Sequence, residues 1–234
     1  MDVLKRTSIM RSGIAAAIRN ALVYVAIVVA FFFVAGRWDW TAGWRFLGIL
    51  AVTNASYIVV VRRRQARFPR KERKPGATSD SHTRPTTTTY LYLCVVVIGA
   101  LDGGRLGWST MPDALWFVGA GLYVSAFVVV GWCAAINPYF GTDNRVRPEE
   151  SGHILIVTGP YTLVRHPGYF ATMTGYLFGT ALMLHSWWSF LPAVLGAMRL
   201  LFAAATEDRV LLETLDGYRA YAKRVPYRLF PGIW

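Results

Sequence analysis

The chain has 234 residues, of which 54% are hydrophobic and only 16% charged, with 25 Lys and Arg against 13 Asp and Glu for a formal charge of +12. A soluble domain ordinarily holds about 25% charged residues, so this composition excludes an ordinary soluble enzyme. The basic excess sits between long apolar blocks rather than on one polar face. That distribution speaks against a nucleic-acid binder and for charges that set topology and meet anionic lipid headgroups.

Apolar blocks of this length read as membrane helices. Six are expected, at residues 14–35, 42–61, 90–106, 114–136, 169–184 and 187–205. The first follows Lys5, Arg6 and Arg11 but runs on without a small-residue cleavage site, so it reads as a retained span and not a signal peptide. The third is the weakest, because Asp102, Gly103 and Gly104 interrupt its end. The fifth is short and rich in Gly and Thr, which suits close helix packing. Short connections at 36–41 and 185–186 imply antiparallel hairpins. Cys94 and Cys133 both fall inside apolar blocks and offer neither a disulfide framework nor a metal-ligand spacing, so no metal site is expected.

Residues 62–74 (RRRQARFPRKERK) form the strongest basic run and belong in the cytoplasm. Counting spans from there places the N-terminus, residues 137–168 and residues 206–234 on the same side. All Lys and Arg except Arg37, Arg45, Arg105 and Arg199 then lie at that side. Residues 75–89 (PGATSDSHTRPTTTT) read as a polar linker without assigned structure. After the last span, residues 207–225 place Leu211, Leu215, Tyr218 and Ala222 on one stripe, which predicts an amphipathic helix lying on the membrane surface and ended by Pro226.

The loop between spans four and five is more elaborate than a simple connection requires. It runs from His153 through a β-branched stretch to Gly159-Pro160-Tyr161 and then Arg165-His166-Pro167-Gly168-Tyr169. Pro167 fits the first position of a helix, whose N-terminal end favours an anion, with Arg165 and His166 beside it. The same residues could serve only as a basic interfacial cap. Directly after the last span come Glu207 and Asp208, either a solvated helix start or a carboxylate facing a cationic ligand. A loop that attracts a carboxylate and an acid that attracts a cation together suit S-adenosylmethionine, whose sulfonium also gains from a tyrosine face. Neither a GxGxxG after a strand nor a GxxxxGK[ST] occurs.

These residues resemble the isoprenylcysteine carboxyl methyltransferase family, with the phosphatidylethanolamine N-methyltransferases as more distant relatives. The likeness rests on His153, Gly159-Pro160-Tyr161, Arg165-His166-Pro167-x-Tyr169, Glu207-Asp208 and the tail Gly217-Tyr218-x-x-Tyr221 to Trp234, and covers roughly residues 137–234. It implies an all-α polytopic bundle in which residues 1–136 supply N-terminal helices and residues 137–234 the methyltransferase core. It further implies a cofactor site lined by His153, Leu155, Val157, Gly159, Tyr161, His166, Tyr169 and Glu207. Glu207, His166 and Arg165 are the candidates for catalysis, and Asp208, turned about 100° from Glu207 on a helix, is expected to matter less. One departure is Ala203, where relatives often carry Arg; Arg199 lies one turn further back. The acceptor would be a lipophilic or small molecule bearing an oxygen, sulfur or nitrogen nucleophile, met among membrane lipids. A membrane reductase of the sterol type is the competing enzyme class, although NADPH phosphates call for more cations than Arg165 alone.

The span count makes a direct prediction. Single cysteines placed in residues 62–89 and at the C-terminus should label from the same, cytoplasmic, face of intact cells. Labelling from opposite faces would require an odd number of spans between them.

Overall fold

A computed structural model describes residues 2–67, 86–140 and 154–234, with side chains from residue 18 onward. His153, most of the basic run and most of the polar linker lie outside the described residues. What is described is helical, without a strand.

Five helices are long and apolar enough to cross a membrane. Helix α1 spans Asp2–Ala35 and α2 spans Thr41–Arg67. The second outruns its expected apolar stretch because Arg is a good helix former and cations favour a helix C-terminus. Arg64 there donates to the carbonyls of Phe140 and Pro138, which ties the end of α2 to the end of the fourth helix.

Helix α3 covers Thr87–Gly99 and continues as a π-helical turn, Ala100–Leu106. Its start corrects the expected linker: Thr86 is the N-cap, and its hydroxyl accepts from the Thr89 amide. The expected interruption at Asp102 does not occur either. Asp102 is wholly buried, but its carboxylate accepts from the Ser109 amide at 2.8 Å, from the Ser109 hydroxyl and from the Ser186 hydroxyl at 2.7 Å. A buried carboxylate with that many donors is compatible with a membrane interior.

Helix α4 is Ala114–Ile136. The expected fifth span is a helical run over 167–183, here called α5. It comprises Pro167–Ala171, a π-helical stretch Thr172–Gly179, and Thr180–Met183. The Thr172 and Thr174 hydroxyls donate back to the Gly168 and Phe170 carbonyls, which competes with the regular ladder. As its composition implied, α5 packs very closely on α4: a methyl group added at Gly175 would lie 2.2 Å from the Ala126 Cβ, and one at Gly179 2.8 Å from the Gly119 carbonyl.

Helix α6, Phe190–Thr214, is the last span, and it passes straight through Glu207 and Asp208. The expected single amphipathic helix over 207–225 is therefore divided. Its first part extends α6, and its second is the short α7, Tyr218–Arg224, reached through Gly217 at φ +77°. Nor does α7 simply lie on a membrane. Tyr218, Tyr221 and Val225 are buried against Leu155, Val157, Tyr161, Leu211 and Leu215, folding the tail onto the loop.

The Asp102 network generates a test. Asp102→Ala leaves the donors of Ser109 and Ser186 without their acceptor, at a cost of roughly 1–3 kcal/mol for each buried group left unsatisfied. Thermal melting in detergent should fall clearly; an unchanged midpoint would mean that the network adds nothing net.

Candidate active site

Four chain segments meet where α5 begins and α6 leaves its apolar stretch: the loop, α5, α6 and the tail. At their centre is Asp208, with no exposed surface. Arg165 grips it with two parallel bonds, Nε to Oδ1 at 2.7 Å and a terminal nitrogen to Oδ2 at 3.0 Å. Arg228 donates to Oδ2 at 2.8 Å and the Tyr218 hydroxyl to Oδ1 at 2.8 Å. The Arg165 guanidinium also donates to the carbonyls of Val225 at 2.8 Å and Pro226 at 3.0 Å. The backbone repeats the linkage, since the amides of Arg165 and His166 donate to the carbonyls of Tyr227 and Arg228.

Burial and the Asp208 carboxylate hold the Tyr218 hydroxyl well above its ordinary range, and burial pushes Tyr221 up to about 12. Both therefore stay neutral donors at physiological pH. Tyr221 uses its proton on the Tyr161 carbonyl at 2.7 Å. Tyr161 in turn accepts from the Asn137 side chain at 2.9 Å, at the end of α4. Gly159 opens the short turn Gly159–Thr162 at φ +61°, with Trp132 and Ile136 so near that a Cβ would meet them at 3.0 and 2.9 Å. Only glycine combines that backbone with that approach.

One helix position before Asp208, Glu207 is placed differently. It is half-buried and accepts from the Tyr169 hydroxyl at 2.7 Å. Among the described residues it has no cationic partner. Burial is the main cause that raises the Tyr161 hydroxyl well above its usual range, so it is a neutral hydroxyl at physiological pH. His166 stacks on Tyr169 with ring centres 5.8 Å apart. Its Nε2 is buried 3.5 Å from the Asp208 carboxylate and makes no hydrogen bond.

The candidate residues from the sequence thus divide. Glu207 and Tyr169 meet, with His166 stacked on Tyr169, while Tyr161 packs with the tail. Leu155 and Val157 pack around Tyr218 and Tyr221, and Gly159 forms the turn that presents Tyr161. Arg165, read from the sequence as a free cation beside the α5 N-terminus, has its guanidinium saturated by Asp208 and carbonyl groups. His153 lies outside the described residues. Sequence reasoning missed Asp208, Arg228 and Tyr218 as a cluster; the tail residues carried the signal, but nothing in their spacing indicated that they fold back onto the loop.

Residues 110–216 match the phospholipid methyltransferase family model. The match takes in α4, the loop, α5 and α6, so the likeness to membrane methyltransferases extends over the elements that build this site, and it supports a membrane methyltransferase in general terms. It stops just short of α7 and the tail that complete the Asp208 cluster. The comparison with curated proteins returns no match.

The cluster makes a prediction about stability. Asp208→Ala leaves the buried Arg165 without its carboxylate. Arg165→Ala leaves the buried Asp208 with Arg228 and Tyr218 but without its two-bond partner. Breaking a buried pair costs about 3–5 kcal/mol, with the second change at the lower end. The double variant should lose clearly less than the sum of the two, because both changes break one interaction. Additive losses in thermal melts would place the two residues in separate roles.

Proposed function

We propose that this chain transfers a methyl group from S-adenosylmethionine to a lipophilic acceptor, at the end of the bundle where Glu207 lies. The observation that carries the reading is the contrast between the two neighbouring acids. Asp208 has two arginines and a tyrosine, while Glu207, half-buried and next in sequence, has a tyrosine and no cation. A partly desolvated carboxylate without a cation is suited to a ligand that brings positive charge.

The residues present fit the proposed cofactor. Glu207 would offset its positive charge, and the neutral hydroxyls and ring faces of Tyr161 and Tyr169 would hold the sulfonium side. Leu155 and Val157 would contribute apolar wall. When bound, the cofactor supplies a methyl carbon already activated by its sulfonium. The protein's own part is to exclude water and to align the acceptor, with reacting atoms roughly 3–3.5 Å apart. Tyr169 holds Glu207 in place, His166 holds Tyr169 by stacking, and the Asp208 cluster fixes the loop that carries both. We assign Arg165 to that positioning role. For a carboxylate acceptor no base is required; for an amine or thiol, Glu207 is the acid placed to take the proton.

Arg199 is exposed in the apolar stretch of α6, two turns before Glu207, and has no ion pair among the described residues. A cation there suits an acceptor with an anionic group. The acceptor classes that fit are a lipid, a prenylcysteine-like carboxylate, or a lipophilic thiol or amine. The NADPH reading is weaker than the sequence left it, because Arg165 and Arg228 are committed to Asp208 and cannot also serve phosphates. We place this end of the bundle, with both termini, in the cytoplasm on the strength of the basic run.

The experiment is calorimetry and methyl transfer on purified protein. S-adenosylhomocysteine should bind with micromolar or better affinity, about −8 kcal/mol. Glu207→Gln should weaken binding about ten- to hundredfold, the loss of roughly 1.5–3 kcal/mol for a charged contact, and leave thermal stability near wild type. Tyr169→Phe should act in the same direction. Full affinity in Glu207→Gln, or heat with NADPH and none with S-adenosylhomocysteine, overturns the reading.

A further inference from the structure

The opposite end of the bundle holds a second polar site that methyl transfer does not use. There the α1–α2 turn, the first turn of α2, the residue before α4 and the turn after α5 line an open cleft of about 380 Å³. That lies within the roughly 300–1,000 Å³ range of small-molecule sites. Arg37 and Asp39 at its edge satisfy each other through two bonds of 2.8 and 3.0 Å. The remaining charges do not. Arg45 lies over the face of Trp116, 5.5 Å from the ring centre, and has no carboxylate partner among the described residues. Asp113 precedes α4 in the N-cap position, yet its side chain makes no capping bond and no ion pair among the described residues.

Between them stands His185. Its φ of +52° is left-handed, unusual for a residue with a Cβ. Its Nε2 is buried without a hydrogen-bond partner, and so is the Nε1 of Trp116 beneath Arg45. Burial holds the His185 imidazole below its ordinary value, so it is neutral at physiological pH. Among the described residues the cleft therefore offers a free cation, a free anion and a neutral histidine with an unused ring nitrogen. Exposed indole rings of Trp38, Trp44, Trp187 and Trp188 surround this end of the helices, as is usual at headgroup depth.

We propose that this cleft is a binding site for the headgroup of a zwitterionic phospholipid, with its phosphate on Arg45, its ammonium on Asp113 and its acyl chains running down between the tryptophans. An acidic lipid would satisfy Arg45 but meet Asp113 and Asp39 with like charge, and a free phosphate would leave Asp113 unmatched. The lipid held here is separate from any acceptor at the Glu207 end, because the two sites lie at opposite ends of the same helices. The inference does not depend on the methyltransferase reading.

Native mass spectrometry of the full chain, released from nanodiscs of equimolar phosphatidylethanolamine and phosphatidylglycerol, tests this. Wild type should retain phosphatidylethanolamine over phosphatidylglycerol. Arg45→Ala should lower retention about tenfold, the scale of one charge-assisted contact. Asp113→Asn should abolish the preference between the lipids while keeping a bound lipid. Thr41→Phe, which fills the cleft without removing a charge, should expel the lipid from a folded protein. Arg45→Ala and Thr41→Phe should leave S-adenosylhomocysteine binding unchanged, which separates the site from the Glu207 end. Glycerophosphoethanolamine should compete poorly, since it lacks the chains. Equal retention of both lipids by wild type, retention unaffected by Arg45→Ala and Thr41→Phe, or efficient displacement by the soluble headgroup would each overturn the proposal.

Discussion

A carboxylate removed from water at the edge of a membrane is tolerated only if its charge is met from several sides, and Asp208 is met by Arg165, Arg228 and Tyr218 together. Each of these donors comes from a different part of the chain. The interaction therefore closes the structure: it cannot form until the loop after α4, the end of α6 and the tail beyond α7 are all in place. Hydrogen bonds from the amides of Arg165 and His166 to Tyr227 and Arg228 add a backbone seam along the same line. A fold that commits this much to one acid uses it as a structural fastening. The acid next to it, Glu207, accepts from the Tyr169 hydroxyl and has no cationic partner among the described residues, which is why we propose it for the ligand.

The bundle beneath transmits that order to the site. Gly175 and Gly179 let α5 lie against α4 at a distance no larger side chain permits, so the start of α5 is held rigidly over the loop. The π-helical stretch in α5 absorbs the backbone bonding of Thr172 and Thr174 without breaking the helix. At the far end, the Asp102 network ties the π-helical end of α3 to the turn between α5 and α6. The helices are thus pinned at both ends by buried carboxylates, and the polar residues left unpaired stand out against that background.

Most of the helical architecture was legible in the sequence, because apolar length is a one-dimensional signal. Five of the six expected spans are helices long and apolar enough to cross a membrane, and the expected fifth is a shorter helical run. The composition of α5 pointed correctly to close packing, and the Gly159-Pro160-Tyr161 and Arg165-His166-Pro167 segments are tied to the tail and to Asp208, the neighbour of Glu207. Three things were not legible. Asp102 looked like a break, because the Ser109 and Ser186 hydroxyls that satisfy it are remote in sequence. Residues 207–225 had helical periodicity throughout, yet Gly217 divides them and the apolar stripe meets the loop. Arg165 read as a free cation since nothing local identifies its partner, which lies 43 residues away. In each case the missing information was a tertiary contact that overrides a correct local pattern.

The central claim is that the two neighbouring acids have separate tasks, one inward and one toward a ligand. It is tested most directly by an experimental structure of the full chain with S-adenosylhomocysteine bound. The account predicts density for the ligand against Glu207, Tyr161 and Tyr169, with the Arg165–Asp208–Arg228 cluster undisturbed. A ligand seated between Arg165 and Asp208, or bound away from Glu207 altogether, would contradict it.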